Sequence, residues 1–144
     1  MKSRMIDYYM SVAELTAKLS RARRLQVGCV IVRDDNIISF GWNGTPPGWD
    51  NNCEDEIWNA HNGKYELKTK PEVIHAEANA LIKLAKGSSS SQNSTMFLTH
   101  APCLECAKLI ASSGIGNLYY RNLYRNKDGV DFLHQSKIPI NQIV

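Results

Sequence analysis

Residues 74–120 read IHAEANALIKLAKGSSSSQNSTMFLTHAPCLECAKLIASSGIGNLYY, a stretch in which helical and β-type patterns alternate. Apolar spacing predicts helices over 74–86 and 103–112, whereas short β-branched or aromatic runs predict strands over 95–99 and 117–120. Strands that alternate with helices are typical of a layered domain in which helices cover a sheet. We therefore predict an α/β fold.

The sequence before this stretch extends the pattern. Apolar residues share one face of a predicted helix over 6–19. Two apolar runs, 27–33 and 37–42, flank Asp34-Asp35-Asn36 and predict a β-hairpin. Residues 43–72 are polar and rich in turn residues. We interpret them as a long loop, and a loop of this length inside a compact domain usually carries function.

Length and composition fit a single globular domain. After residue 120 the pattern predicts a helix over 128–135 and a last strand over 138–144, so one domain would span residues 1–144. No apolar run approaches the roughly 20 residues of a membrane span. Residues 1–10 also lack the apolar core of a signal peptide. We therefore expect a cytosolic protein without a membrane partner.

The charge of the chain argues against a nucleic-acid partner. Its formal net charge is +3, which is too small to mark a nucleic-acid-binding domain. The basic residues are nevertheless clustered after the first predicted helix, at Lys18, Arg21, Arg23 and Arg24. This cluster is either a solvated helix end or a site for phosphate groups, which arginine binds well.

Two short motifs carry the chemistry of the chain. His75-Ala-Glu77 and Pro102-Cys-Leu-Glu-Cys106 together supply one imidazole, two thiolates and a carboxylate that is not needed as a ligand. Catalytic zinc sites hold three protein ligands and keep a fourth position open. The pair is the H-x-E…P-C-x-x-C signature of zinc-dependent nucleobase deaminases. We predict a catalytic Zn²⁺ on His75, Cys103 and Cys106, with Glu77 as the catalytic proton shuttle.

Helix geometry restricts where these residues can lie. Side chains two positions apart on a helix diverge by about 200°. His75 and Glu77 therefore share a pocket only at the very beginning of their helix, where the preceding Pro71 places them. Cys103 and Cys106 are spaced i and i+3, and we predict them on one face of a helix that Pro102 opens.

Other interpretations of the cysteines stay open at this point. A Cys-x-x-Cys pair also occurs as a redox pair, and Cys53 would close a structural zinc site as a fourth ligand. In the catalytic interpretation, zinc lowers the pKa of its bound water to about 7. Glu77 then moves protons during attack on C4 of a cytosine or C6 of an adenine.

Further motifs produce a family resemblance that runs from Tyr8 to about Asp131. The chain resembles the deoxycytidylate (dCMP) deaminases of phages and eukaryotes, within the zinc-dependent cytidine/deoxycytidylate deaminase superfamily. Besides the zinc motifs, the resemblance rests on Gln26-Val-Gly-Cys-Val-Ile-Val, Gly41-Trp-Asn-Gly-Thr-Pro-Pro-Gly, Cys53-Glu-Asp, His75-Ala-Glu-Ala-Asn-Ala and Cys106-Ala-Lys-Leu-Ile. The Gly-Trp-Asn-Gly-x-Pro element is the more specific part, because several deaminase branches share the zinc signature.

The resemblance implies a fold and an activity. It implies a cytidine deaminase-like three-layer sandwich, in which helices flank a mixed five-stranded sheet. The reaction would convert dCMP and water to dUMP and ammonia for thymidylate synthesis. The enzyme would be a homo-oligomer, commonly a hexamer, that dCTP with Mg²⁺ activates and dTTP inhibits.

The resemblance also assigns residues. Asn43 matches an asparagine that contacts the nucleoside, and Tyr124 matches a tyrosine near the nucleotide, although a half-buried core tyrosine is the alternative. We add Arg24 as a substrate-binding residue for the phosphate. The effector-binding residues implied are Gly44, Thr45, Pro46 and Lys86. Lys86 stands where some relatives have an arginine, which binds phosphate differently.

The expected metal content is one zinc per subunit. Some phage relatives hold a second, structural zinc; Cys53 matches one of its ligands, but Arg23 stands where another cysteine would be. Two rival hypotheses remain beside dCMP deamination. One is a zinc deaminase that acts on tRNA or single-stranded nucleic acid, and the other is a catalytically silent, nucleotide-binding zinc protein.

Overall fold

A computed structural model describes all residues, 1–144, as four helices and seven strands. A five-stranded sheet has the strand order β2-β1-β5-β6-β7, and β3 pairs with β4 in a separate two-stranded sheet. The elements are α1 (Ser3–Ala17), β1 (Gly28–Arg33), β2 (Asn36–Trp42), β3 (Glu54–Asn59), β4 (Lys64–Thr69), α2 (Ala76–Lys86), β5 (Thr95–His100), α3 (Leu104–Ser112), β6 (Asn117–Asn122), α4 (Asp128–Gln135) and β7 (Ile140–Gln142).

The large sheet is mixed, as predicted. Strand β1 runs antiparallel to both β2 and β5, whereas β5, β6 and β7 are parallel to one another. Strand β1 is a continuous apolar run because both of its faces are buried. The hairpin between β1 and β2 turns at Asp34 and Asp35, which have φ values of 51° and 58°. Two successive positive φ values are the signature of the type I′ hairpin turn.

Helices cover both faces of this sheet and give the predicted three layers. On one face, α1 packs Tyr9, Met10 and Ala13 against Val30 and Phe97. On the other face, α2, α3 and α4 enclose a larger cluster of fourteen buried residues. The α/β class and the mixed five-stranded sheet are therefore confirmed.

The prediction that residues 43–72 form a loop is wrong in part, because strands β3 and β4 make an antiparallel hairpin there. Of the six residues of β3 only Glu54 is buried. A hairpin that stands in solvent on both faces has no apolar alternation by which its sequence would reveal it. The segment is thus a polar hairpin with a loop on either side.

Element ends differ from the predictions by a few residues. The first helix is Ser3–Ala17 rather than 6–19, and the last strand is Ile140–Gln142 rather than 138–144. Helices α2 and α3 begin one to two residues later than predicted, and these shifts matter for the site below. None of the four helices has the length and apolar character needed to cross a bilayer.

Candidate active site

Four chain segments meet at one edge of the large sheet. Parallel strands β5 and β6 end there at His100 and Asn122, which are paired in register. Strand β1 runs the opposite way, so its beginning at Gly28 lies at the same edge, next to the end of β2 at Trp42. Ligand sites of open α/β sheets form beyond the carboxyl ends of the parallel strands. This edge brings the two sequence motifs together.

His75 and Glu77 share a pocket because the helix begins between them. His75 is the N-cap of α2, with extended backbone angles of φ −70° and ψ 157°, and Glu77 lies in the first turn. The divergence of about 200° that a continuous helix would impose therefore does not apply. The Nδ1 atom of His75 lies 3.7 Å from Oε1 of Glu77.

The two motif cysteines meet in a different way from the one predicted. Helix α3 begins at Leu104, and Cys103 is its N-cap with φ −72° and ψ 171°. Pro102 therefore precedes the helix instead of opening it. An N-cap side chain and the residue three positions on face each other across the first turn, as they do in a capping box. Cys103 and Cys106 thus converge although they do not share a helix face.

The three donor atoms fit a tetrahedral zinc ion. His75 Nδ1 lies 3.5 Å from Cys103 Sγ and 3.3 Å from Cys106 Sγ, and all three donors lie within 4.8 Å of one another. Zn–S and Zn–N bonds of about 2.3 and 2.0 Å at tetrahedral angles place such donors about 3.5 Å apart. This set of one imidazole and two thiols leaves a fourth position for a non-protein ligand.

The pKa values of the two thiols shift in opposite directions within this cluster. A hydrogen bond from Cys106 lowers the pKa of Cys103 to about 4, and His75 contributes in the same direction. The pKa of Cys106 is raised, first by the hydrogen bond to Cys103 and then by burial. A zinc ion held by these two sulfur atoms would bind them as thiolates.

Glu77 lies at the buried end of the cluster. Its residue is 3% exposed, and this burial raises the pKa of the carboxyl group above its ordinary value, against the opposing effects of Cys106 and His75. A buried carboxyl group with a raised pKa has the property required of a general acid and base.

Helix α4 supports the beginning of α3 through Gly129. A Cβ atom added to Gly129 would overlap the carbonyl oxygen of Pro102 and lie 2.8 Å from the carbonyl carbon of Cys103. We predict that Gly129→Ala lowers the free energy of unfolding by about 3 kcal/mol and releases zinc faster, since helix α4 must move away from Cys103. Gly116→Ala is the matched control, because the nearest atom there, Ser94 O, is 3.8 Å away.

Chemical denaturation and competition with a chelator measure these two effects. Unchanged stability and zinc release in Gly129→Ala would show that α4 does not brace the motif.

A solvent-open cavity leads to the cluster, and small molecules bind preferentially in concave sites of this kind. Besides the zinc donors, four of the predicted site residues line this cavity: Glu77, Asn43, Tyr124 and Arg24. Sequence patterns give the imidazole of His100 no role, yet it also lines this cavity. Its position just before the second motif was the available signal. The remaining lining residues outside the cluster are Leu25, Val27, Thr69, Val73, Ala76 and Ala101.

Asn43 has a bracing role that its sequence motif does not reveal. Its Oδ1 accepts from the backbone N–H of Val27 at 2.9 Å, and its Nδ2 donates to the carbonyl of Leu25 at 2.8 Å. An amide keeps a second N–H and a second lone pair beyond these two bonds. Asn43 can therefore fix the cavity wall and still contact a ligand.

Tyr124 combines its two sequence interpretations. It follows β6, is half-buried, and packs against the large core cluster while it lines the cavity. The guanidinium of Arg125 lies 5.5 Å from the centre of its ring, a distance suited to a cation–π interaction.

The four predicted effector residues do not form one site within the chain. Gly44 pairs with Ile74 beside the beginning of α2, and Thr45 Oγ1 donates to the carbonyl of Asp50. Lys86 is the exposed last residue of the same helix, about 15 Å away at 1.5 Å per residue. Pro46 follows Thr45 directly and so lies with Gly44 and Thr45, apart from Lys86.

Cys53 lies outside the donor cluster. It is 1% exposed and packs with Ala22 and Val73 in a small apolar cluster. The groups of potential metal donors in the chain consist of His75, Cys103 and Cys106 alone. The interpretation of Cys53 as a fourth ligand to this site is therefore not supported.

Comparison with known proteins agrees with the geometry. The family model of the cytidine and deoxycytidylate deaminase zinc-binding region matches residues 3–122. The chain belongs to this family. Among curated members of the family, the deoxycytidylate deaminase of Enterobacteria phage T4 is 33% identical over 85% of this chain and 80% of its own length. The human deoxycytidylate deaminase is 37% identical over 85% of this chain and 67% of its own length.

A solved structure from the family has the same fold over the whole chain. The dCMP deaminase of cyanophage S-TIM5, crystallised in complex with dCMP and dUMP, superposes with a TM-score of 0.87 and 41% identity over 99% of both chains. The deaminase family and the predicted architecture are thus established together, and the family's zinc-binding region includes the cluster described here.

Proposed function

We propose that this protein hydrolyses dCMP to dUMP and ammonia, with a zinc ion held by His75, Cys103 and Cys106. The observation that carries the proposal is the arrangement of three zinc donors beside the buried carboxylate of Glu77, at the end of an open cavity. The likeness to the S-TIM5 enzyme, whose structure contains dCMP and dUMP, supports dCMP as the substrate. We also propose that residues 1–144 act as one deaminase domain.

Glu77 is the residue that moves protons. Zinc, when bound, lowers the pKa of a coordinated water to about 7. Glu77 accepts a proton from the attacking water and delivers it to N3 of the cytosine ring, beside the carbon that is attacked. It then takes the proton of the new hydroxyl group on C4 and transfers it to the departing amino group, so that the C4–N bond breaks, ammonia leaves and the C4 carbonyl of dUMP forms.

Three further residues bind the nucleotide in this proposal. Asn43 contacts the sugar with the N–H and lone pair that its bracing bonds leave free. Tyr124 packs beside the nucleotide, and Arg24 binds the phosphate. Arg24 is exposed and lines the cavity, which suits a charged phosphate that stays partly hydrated.

Regulation by nucleotides requires more than one chain in this proposal. We propose a homo-oligomer, a hexamer by resemblance, that dCTP with Mg²⁺ activates and dTTP inhibits. Because Lys86 is about 15 Å along α2 from residues 44–46, these effector residues would act together only across a subunit contact.

Ammonia release from dCMP, deoxycytidine and a single-stranded oligonucleotide tests the activity. We expect rapid release from dCMP only, and oligonucleotide turnover as the fastest reaction would favour a nucleic-acid deaminase. The same assay with dCTP and Mg²⁺, and separately with dTTP, tests regulation. We expect sigmoidal kinetics that become hyperbolic with dCTP. Kinetics that neither nucleotide changes would refute the proposed regulation but not the proposed activity.

A further inference from the structure

Glu54 is a buried carboxylate that the chemistry above does not use. It begins β3, is 2% exposed, and accepts hydrogen bonds from two backbone amides. The N–H of Arg23 lies 3.2 and 3.0 Å from its two oxygens, and the N–H of Arg24 lies 3.0 Å from one of them. The Nε atom of Arg23 is 3.6 Å away. Charge-assisted bonds of this kind are among the stronger ones in proteins.

These bonds hold the middle of the segment, residues 18–27, that connects α1 to β1. Asn43 holds the part of the segment next to β1, through Leu25 and Val27. The exposed side chain of Arg24 therefore projects from a backbone that is fixed on both sides. A guanidinium group on a fixed backbone loses less conformational entropy on ligand binding than one on a mobile backbone.

Arg24 lines two neighbouring cavities. Besides the cavity that leads to the zinc donors, Arg24 lines a second, solvent-open cavity, and Thr69 is the other residue that both cavities share. Arg125 and Lys68 add positive charge to the second cavity, against one acid, Glu66. Neither Arg24 nor Arg125 has a carboxylate within 4.0 Å. Guanidinium groups without acidic partners beside a nucleoside site suit a phosphate monoester.

We infer that Glu54 is a positioning residue for phosphate recognition, which holds Arg24 so that its guanidinium faces the 5′-phosphate of the nucleotide, with Arg125 across the second cavity. The inference rests on the proposed function, because it takes a nucleoside monophosphate as the ligand. Glu54 acts through Arg24 and touches neither the substrate nor the metal.

Binding of the product, with and without its phosphate, tests this role. We expect Glu54→Gln in the zinc-loaded enzyme to weaken dUMP binding about tenfold to a hundredfold, the range for a charged hydrogen bond. Deoxyuridine binding should stay within about twofold. The amide presents an N–H₂ group towards backbone donors, so the segment that carries Arg24 loosens. Glu56→Gln is the matched control, because Glu56 bonds only the exposed Arg23 side chain, at 2.9 Å.

A second variant covers the case in which Glu54→Gln fails to fold. Arg24→Ala leaves the bonds to Glu54 in place, since they come from the backbone N–H, and should weaken dUMP binding to a similar degree. In the double variant, Glu54→Gln should weaken dUMP binding by less than about twofold beyond the loss that Arg24→Ala causes alone.

Two outcomes would overturn the inference. One is an unchanged ratio of the Kd values for dUMP and deoxyuridine in either single variant, and the other is additive effects in the double variant. Titration calorimetry measures the affinities for dUMP and deoxyuridine directly and does not require catalytic turnover. A wild-type protein that binds dUMP but does not deaminate dCMP would therefore refute the proposed function separately.

Discussion

Glu77→Gln is expected to lower kcat for dCMP by about 10²–10⁴-fold, the usual contribution of a general acid and base, while the protein keeps its zinc. The amide of glutamine cannot accept a proton from water or return one to the ring nitrogen. Its shape matches that of the carboxylate, so the buried position beside Cys106 and His75 stays filled. Ammonia release and metal analysis on the same sample measure both properties.

A second acidic residue nearby provides the control for this substitution. Glu105 lies one position before Cys106, but it is exposed and pairs with Lys108 at 3.1 Å. Glu105→Gln should therefore keep both activity and zinc. If Glu77→Gln retained near-normal turnover, Glu77 would not be the proton shuttle. If it lost the metal together with turnover, the carboxylate would be needed to form the site.

The zinc cluster was predictable because its geometry is local. Each motif spans one helix beginning, and the cap conformation alone brings N-cap and first-turn side chains together. The pairing of His75 with the two cysteines was predictable from chemistry, because zinc requires such a donor set. The exact start of α3 was not, since Pro102 is compatible with the first turn and with the residue before it.

The cavity wall was not predictable for a different reason. The hydrogen bonds that the backbone N–H groups of Arg23 and Arg24 donate to Glu54 join residues about thirty positions apart. No periodicity in either segment indicates these bonds. The same holds for Asn43, whose family motif suggested a ligand contact but not its bonds to Leu25 and Val27. The β3–β4 hairpin, which carries Glu54, was not predicted because both of its faces are exposed and its sequence therefore lacks an apolar alternation.

Cys103→Ala is expected to remove zinc from the protein, whereas Cys53→Ala should retain it. Cys103 supplies one of only three protein donors, and two donors cannot hold the geometry that catalytic zinc requires. Cys53 packs with Ala22 and Val73 in an apolar cluster, so its loss costs packing but no ligand. Metal analysis should give one zinc per chain for the wild type and for Cys53→Ala, and none for Cys103→Ala.

Thermal unfolding separates the two variants more sharply than activity does. A ligand that binds only the folded state stabilises it by about 4.1 kcal/mol when its concentration is 1,000 times its Kd. Chelation should therefore lower Tm in the wild type and in Cys53→Ala, and should leave Tm of Cys103→Ala unchanged, because that variant has no metal to lose. A second tightly bound zinc in the wild type that disappears in Cys53→Ala would instead make Cys53 a ligand. The site at His75 would then be one of two metal centres in this chain.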